Sequence, residues 1–299
     1  MSQPRQVLPG QYLLLTRGCT QRQFLLRPDA ETNNAFIYCL VEAAQRYDIE
    51  LILSMAEANH HHTVFFDRYG RQPQFVEQFH RMFARCQNAR LGRFENLWAA
   101  AVEPCVTALL DRATVIDKLV YAASNPVKDM LVERATQWPG VNSYRELLSG
   151  KALHARRPRH FFRDDGVMPT EVTMSLAIPP ELGPADEVRA EVKAGVEAIE
   201  REKRELRART GARILGRHRV LTQSWRDSPT SREPRRGLRP RFAGGPEARI
   251  AALLGYKAFL ADYRDARRKL LAGLRPTFPA GTYWLARFAA VPVAPLPAS

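Results

Sequence analysis

The sequence has few cysteines, no long apolar run and no acidic excess, and each of these features excludes a class of protein. The four cysteines, Cys19, Cys39, Cys86 and Cys105, lie far apart and form no Cys-x-x-Cys pair, which excludes a zinc ribbon and a dithiol redox motif. No apolar stretch reaches the roughly 20 residues that a membrane span needs. The first residues also lack the apolar core of a signal peptide. We therefore expect a cytoplasmic protein with reduced cysteines and no membrane partner.

Basic residues outnumber acidic residues by 45 to 31, and the excess lies almost entirely in the second half of the chain. Residues 1–150 contain 16 basic and 15 acidic side chains, whereas residues 151–299 contain 29 and 16. Residues 201–250 alone contain 15 basic and 5 acidic side chains. Such a concentration of positive charge favours a polyanionic partner, and without a membrane segment the favoured polyanion is nucleic acid.

The overall composition is that of an ordinary globular protein, with 45% apolar and 25% charged residues. The change in charge near residue 150 predicts two domains. One covers residues 1–150, and the other is a basic, Arg-rich and mostly helical extension over residues 151–299. We expect the first domain to fold without the second, because its order of strands and helices is complete.

Hydrophobic spacing in the first half predicts the order β-α-β-β-α-β-α. Strands are expected at 12–16, 49–55, 62–66 and within 97–109. Helices are expected at 30–47, around 75–86 and from 116 to the Asn125-Pro126 pair, where the last helix should end or kink. This order predicts an α+β fold in which one antiparallel sheet has its helices on one face. In the second half, helices are expected over 185–209 and 246–271, with a basic loop over 213–241 between them.

Three consecutive histidines follow Asn59 at the start of the third predicted strand. Because side chains alternate across a strand, His60 and His62 share one face, about 6.6 Å apart along the backbone, while His61 faces the other way. Two imidazoles placed in this way can bind one cation. Histidine-rich triplets also occur in loops without a ligand, so the triplet alone leaves both interpretations open.

Tyr121 and Asn125 are one helical turn apart and therefore lie on the same helix face. A tyrosine among apolar neighbours is ordinarily a core residue, and an asparagine before Pro126 is ordinarily a helix terminus. Local sequence therefore does not assign either residue to a catalytic site.

The histidine triplet and the tyrosine helix recur together, in this order, in a known family. The first 150 residues resemble the single-tyrosine HUH transposases and, among them, the REP-associated tyrosine transposases. The resemblance lies in four segments: Thr16-Arg17-Gly18 with Arg22 and Phe24, Asn59-His60-His61-His62, Tyr121 to Lys128, and Trp138 to Tyr144. The corresponding family motifs are RGN-x-R-x-x-x-F, NHxH, YixxNPVrAglV and ypWSSY.

The resemblance implies a ferredoxin-like sheet with the two histidines on a central strand and the tyrosine on a facing helix. It makes His60 and His62 ligands of a divalent cation, Mg or Mn, with the side-chain oxygen of Asn125 as a third ligand. Tyr121 becomes the nucleophile of a metal-dependent transposase or endonuclease that cleaves and rejoins single-stranded DNA through a 5′-phosphotyrosine. The implied partner is single-stranded or hairpin DNA, and both a monomer and a homodimer are compatible with the sequence.

The sequence departs from the family pattern at three places. His61 replaces an apolar residue, Glu57-Ala58 replaces Met-Pro, and Lys128-Asp129-Met130 stands where Ala-Gly is common. These departures support a second interpretation, a decayed or domesticated nucleic-acid-binding protein with the same fold. An RNA-binding module is a third interpretation, but the aromatic strand motif of RNA recognition motifs is missing from the sequence.

Several basic residues are candidates for contacts to DNA phosphates, which give sequence-independent and salt-sensitive affinity. Three of them belong to the first half: Arg17, Arg22 and Lys128. Four belong to the basic loop: Arg235, Arg236, Arg239 and Arg241. The alternative interpretation of the loop is a solvated surface.

Overall fold

A five-stranded mixed sheet forms the centre of the fold, in a computed structural model that describes residues 4–99, 104–231 and 240–296. The chain contributes β1 (Gln11–Gly18), β2 (Glu50–Ala56), β3 (His60–Asp67), β4 (Cys105–Leu109), β5 (Leu153–Arg156), β6 (Glu171–Met174) and β7 (Phe242–Ala243). The central sheet has the order β2-β3-β1-β4-β7, and β5 pairs with β6 separately. The first four strands are antiparallel, as predicted, but β7 pairs parallel to β4. The sheet is therefore mixed, which corrects the expectation of a wholly antiparallel sheet.

Eight α-helices accompany these strands in the described residues. They are α1 (Ala30–Arg46), α2 (Gln72–Leu91), α3 (Arg112–Lys128), α4 (Tyr144–Ser149), α5 (Ala185–Thr210), α6 (Arg217–Thr222), α7 (Pro246–Leu271) and α8 (Trp284–Phe288). The helices predicted from 30 and from 246 are confirmed, and α5 ends, as its spacing indicates, with Gly211 in the left-handed region at φ 68°. Over the residues that the structure describes, no helix is both long and apolar enough to cross a membrane.

Helices cover both faces of the sheet, which corrects the prediction that they lie on one face. Leu13, Leu15 and Phe65 are buried against α1 and α2. Leu14 and Val64, which point the other way, are buried against α3. The reason is visible in the strands, because consecutive apolar residues in β1 and β3 present apolar side chains to both faces.

Residues beyond 150 complete the cores of the first half. Val188, Val192 and Val196 of α5 are fully buried in the same cluster as Leu119 of α3. The β5-β6 pair likewise contributes Leu153 to the cluster that contains α1 and α2. The boundary predicted at residue 150 therefore does not separate two hydrophobic cores. Both cores of the first half include side chains from residues beyond 150.

Gly195 lies where α5 packs against Val120 of α3. A Cβ at Gly195 would lie 2.5 Å from Cγ2 of Val120. We expect Gly195→Ala to lower the free energy of unfolding by about 1–3 kcal/mol, the cost of overpacking. Gly255, inside α7, has no atom within 4 Å of the corresponding position, so Gly255→Ala should raise it by about 0.5–1 kcal/mol. Thermal or urea unfolding of the two variants checks this, and equal effects would contradict the close helix contact.

Two element boundaries differ from the prediction. Helix α3 continues through Pro126 to Lys128, because the carbonyl of Asn125 accepts from the N–H of Asp129 and that of Pro126 accepts from the N–H of Leu131. The predicted basic loop contains α6, whose Val220 is buried in the core beside α3. The strand predicted within 97–109 is confirmed only at β4, and residues 100–103 lie outside the described residues.

Candidate active site

The end of β3 and the middle of α3 bring four predicted site residues together. His60 and His62 lie on one face of β3, and their ring centroids are 4.9 Å apart. The ring of Tyr121 is 5.1 Å from the ring of His62. Nδ2 of Asn125 is 3.1 Å from Nε2 of His60. The structure thus places a tyrosine and an asparagine from one helix directly over a pair of histidines, and their chemical roles stay predictions.

Each of the two histidines has its Nδ1 beside a neighbouring side-chain oxygen. Nδ1 of His62 is 2.7 Å from Oγ1 of Thr16, and Nδ1 of His60 is 2.8 Å from Oδ1 of Asn59. When Nδ1 of each ring carries the proton and donates a hydrogen bond to the neighbouring oxygen, Nε2 of that ring has a free lone pair. Nε2 of His62 is buried and has no hydrogen-bond partner among the described residues. Burial lowers the pKa of His60 to about 4 and that of His62 well below its usual range, so both rings are neutral near pH 7.

Neutral imidazole nitrogens are suitable ligands for a divalent cation, and the orphaned Nε2 of His62 fits that purpose. Within the described ranges, however, no group of three His, Cys, Asp or Glu side chains is arranged to hold a metal. The predicted third ligand is the amide oxygen of Asn125. The amide of Asn125 presents Nδ2 to His60 and to Oε1 of Glu57, so it would have to turn over to act as the predicted ligand.

Glu57 and Asp129 form a carboxyl pair beside these residues, and the sequence did not predict it. Glu57 is 4% exposed, and Oε1 of its carboxyl accepts from Nδ2 of Asn125 over 3.1 Å. Burial, reinforced by the charge of Asp129, raises the pKa of Glu57 well above its usual range, and burial also raises that of Asp129. Both shifts favour the protonated forms of these carboxyls at neutral pH, next to His60 and Asn125. The available sequence signal was that both residues depart from the family pattern.

The ring of Tyr121 lies between His62 and two lysines. Nζ of Lys128 is 4.5 Å from the centre of the tyrosine ring, and Nζ of Lys118 is 5.7 Å from it. Burial, followed by the negative charges of Asp129 and Glu57, raises the pKa of the Tyr121 hydroxyl. The hydroxyl is therefore protonated at neutral pH. Lys128, predicted to contact DNA, is placed where its charge is also close to the tyrosine.

A cleft of about 1480 Å³ opens over this cluster, and both halves of the chain line it. Residues 223–231 form one wall, which is fixed to the first half by hydrogen bonds. Nη1 of Arg22 donates to the carbonyl of Ser231 over 2.5 Å, and Nη1 of Arg27 donates to that of Gln223 over 3.0 Å. The backbone N–H of Phe24 donates to the carbonyl of Asp227 over 2.9 Å. The cleft thus joins the histidine and tyrosine cluster to the basic second half.

The residues predicted to contact DNA do not all lie at the same cleft. Arg17 and Arg22 line the cleft. Arg241 instead lies over the ring of Tyr256, at 4.1 Å from its centre, and lines a separate cavity of about 320 Å³. Arg235, Arg236 and Arg239 lie outside the described residues.

Comparison with known proteins gives a limited result. No protein-family model matches the chain, and no curated protein matches it. Among solved structures, a REP-associated tyrosine transposase bound to a REP hairpin is similar with 15% identity and a TM-score of 0.42, over 57% of this chain and 93% of that one. A transposase candidate from Deinococcus radiodurans R1 is similar with 18% identity and a TM-score of 0.28, over 36% and 84% of the two chains. Likeness at this level establishes neither a family nor a function.

Proposed function

We propose that this protein is a metal-dependent enzyme that cleaves and rejoins single-stranded DNA through a covalent bond to Tyr121. The observation that carries the proposal is the contact between Tyr121 and His62, a neutral histidine with a buried and unpartnered Nε2 that lies beside His60. A core tyrosine does not require a histidine pair beside it. A nucleophile that attacks a phosphodiester requires positive charge nearby, which a cation and the two lysines would supply.

His60 and His62 would hold the cation, which would supply positive charge beside the scissile phosphate. The hydroxyl oxygen of Tyr121 attacks phosphorus and releases its proton to solvent in the cleft, and solvent supplies the proton for the departing 3′ oxygen. A bond forms between this oxygen and phosphorus as the bond from phosphorus to the 3′ oxygen breaks. The 3′ oxygen takes up a proton, and the DNA remains attached to Tyr121 through its 5′ phosphate. The phosphotyrosine ester retains the energy of the phosphodiester bond that was broken. Another 3′-hydroxyl can therefore reverse the step and rejoin the DNA without ATP.

The cleft supports single-stranded DNA as the substrate. Its walls carry the cations Arg17, Arg22 and Arg226, and the positive charge of the chain is concentrated in the half that contributes residues 223–231. Phosphate contacts from such residues would supply salt-sensitive affinity without reading the sequence. The second interpretation, a binding protein without catalysis, predicts the same affinity but no covalent product.

Covalent capture tests the proposal. The full-length protein is incubated with 5′-labelled and 3′-labelled hairpin oligonucleotides and Mg²⁺ or Mn²⁺, and the products are separated under denaturing conditions. We expect a protein band that retains the 3′-labelled fragment only, with the nucleotide located on Tyr121 by mass spectrometry of its peptide. Binding of every oligonucleotide without any such band would favour the non-catalytic interpretation.

A further inference from the structure

Arg17 projects from the face of β1 opposite to Thr16 and contacts α2. Its Nη1 donates to Nδ1 of His80 over 2.9 Å, and its guanidinium lies over the ring of Trp98, at 5.4 Å from the centre. Its Nε is buried and has no hydrogen-bond partner in the described part of the chain. Arg17 also lines the large cleft. Nη1 is therefore fixed by protein and Nε is enclosed, while Nη2 makes no hydrogen bond to the described part of the chain.

The charge of Arg17 has no counter-ion in the described residues, since no Asp or Glu oxygen lies within ion-pair distance of it. Burial lowers the pKa of the Arg17 guanidinium, the direction expected for a partly desolvated cation. A half-buried cation without a partner is costly for the folded protein. A bound anion would compensate this charge, and a guanidinium N–H donates a charge-assisted hydrogen bond to a phosphate oxygen.

A chain of hydrogen bonds with only one possible direction holds this arginine. Arginine has donors only, so Nδ1 of His80 must accept and its proton must be on Nε2. Nε2 of His80 then donates to Nε2 of His61 over 2.9 Å. That bond places the proton of His61 on Nδ1, 3.3 Å from Oγ1 of Thr63. The tautomers of both histidines are therefore set by the contact to Arg17.

The two histidines are also rigidly packed. His61 is fully buried and His80 is 2% exposed. The ring of His61 contacts the rings of Phe36 and Phe79 at centroid distances of 5.5 and 5.4 Å, and the indole N–H of Trp98 donates to the carbonyl of His80. Side chains packed in this way keep one rotamer, so the acceptor for Arg17 has a fixed position.

We infer that Arg17 binds a phosphate of the DNA strand in the cleft, and that His80 and His61 are positioning residues that fix its guanidinium. The inference rests on the proposed function, because it takes single-stranded DNA as the ligand. It also gives a role to His61, which faces away from the metal ligands and replaces the apolar residue common at this position. The histidine triplet would then serve both faces of the sheet, with His60 and His62 towards the cation and His61 towards the phosphate.

The test compares two substitutions of His80 that each retain half of its hydrogen bonding. In His80→Asn, Oδ1 replaces Nδ1 and still accepts from Arg17. In His80→Gln, the amide nitrogen replaces Nε2 and donates to His61, but the acceptor for Arg17 is lost. Binding of fluorescein-labelled oligodeoxythymidine is measured by anisotropy for the full-length protein over a series of salt concentrations, and thermal unfolding is recorded for every variant.

We expect Arg17→Gln to weaken binding about tenfold, and to reduce the slope of log K against log salt by about 0.7, the contribution of one phosphate on a single strand. His80→Gln should weaken binding by a similar factor, and His80→Asn should bind nearly as the wild type does. Adding Arg17→Gln to His80→Gln should then cause little further loss, because both changes remove the same contact.

Equal weakening by His80→Asn and His80→Gln, or additive losses in the double variant, would overturn the positioning role. Unchanged affinity and salt slope in Arg17→Gln, in a protein that still forms the covalent adduct, would overturn the phosphate site and leave the proposed function intact. Failure of the wild type both to bind DNA and to form the adduct would overturn the proposed function itself.

Discussion

Tyr121→Phe is expected to abolish covalent capture of DNA while leaving the protein folded and able to bind. The substitution removes one oxygen and keeps the ring that contacts His62. In the described part of the chain the hydroxyl makes no hydrogen bond, so its loss leaves no buried partner unsatisfied. We expect adduct formation to fall by at least about 10³-fold, as for the loss of a nucleophile, and DNA affinity to change by no more than about twofold.

Tyr144→Phe provides a matched control for this substitution. Tyr144 is also a buried tyrosine, its pKa is raised to about 12 mainly by burial, and it lies in α4 away from the lining of the cleft. Its variant should form the adduct at the wild-type rate. Persistence of the adduct in Tyr121→Phe, with the nucleotide on another residue, would contradict the assignment of the nucleophile. A loss of thermal stability in Tyr121→Phe beyond that in Tyr144→Phe would indicate a structural role for the tyrosine.

Elements with long amphipathic patterns were predictable from the sequence. Helix α7 begins at Pro246 and ends at Leu271 as its spacing indicates, because a proline opens it and a full apolar stripe runs along it. Helix α6 was missed because it is six residues long and has one buried side chain, Val220, which is too few for a helical period. The sequence does indicate that helices cover both faces of the sheet. Three consecutive leucines in β1, Leu13 to Leu15, place apolar side chains on both faces.

The candidate site was predictable as far as local pattern and resemblance extend. Strand alternation places His60 and His62 on one face and His61 on the other, and the structure confirms that arrangement. The proximity of Glu57 and Asp129 was not predictable. The two residues are far apart in sequence, and no local sequence pattern indicates that they meet in the fold. The same holds for the wall formed by residues 223–231, whose position depends on tertiary hydrogen bonds.

Substitutions of neighbouring histidines should differ sharply in their effect on metal binding. His60→Ala and His62→Ala each remove one of two imidazole ligands, so each is expected to weaken Mn²⁺ binding at least about 100-fold and to abolish the adduct. Binding of Mn²⁺ to the protein without DNA, followed by electron paramagnetic resonance of the free ion, measures the affinity separately from catalysis. An exposed histidine, His154, supplies the control, because His154→Ala should change neither quantity.

His61→Val is the decisive comparison within the triplet. The valine restores an apolar residue at this position and leaves both metal-binding rings in place, so Mn²⁺ affinity and adduct formation should persist. Stability should nevertheless fall by about 1–3 kcal/mol, because Nε2–H of His80 loses its acceptor inside the core. Equal loss of Mn²⁺ binding in all three histidine variants would show that the triplet supports folding and not coordination. Full Mn²⁺ affinity in His60→Ala or His62→Ala would contradict the ligand assignment, because each variant lacks one of the two proposed imidazole ligands.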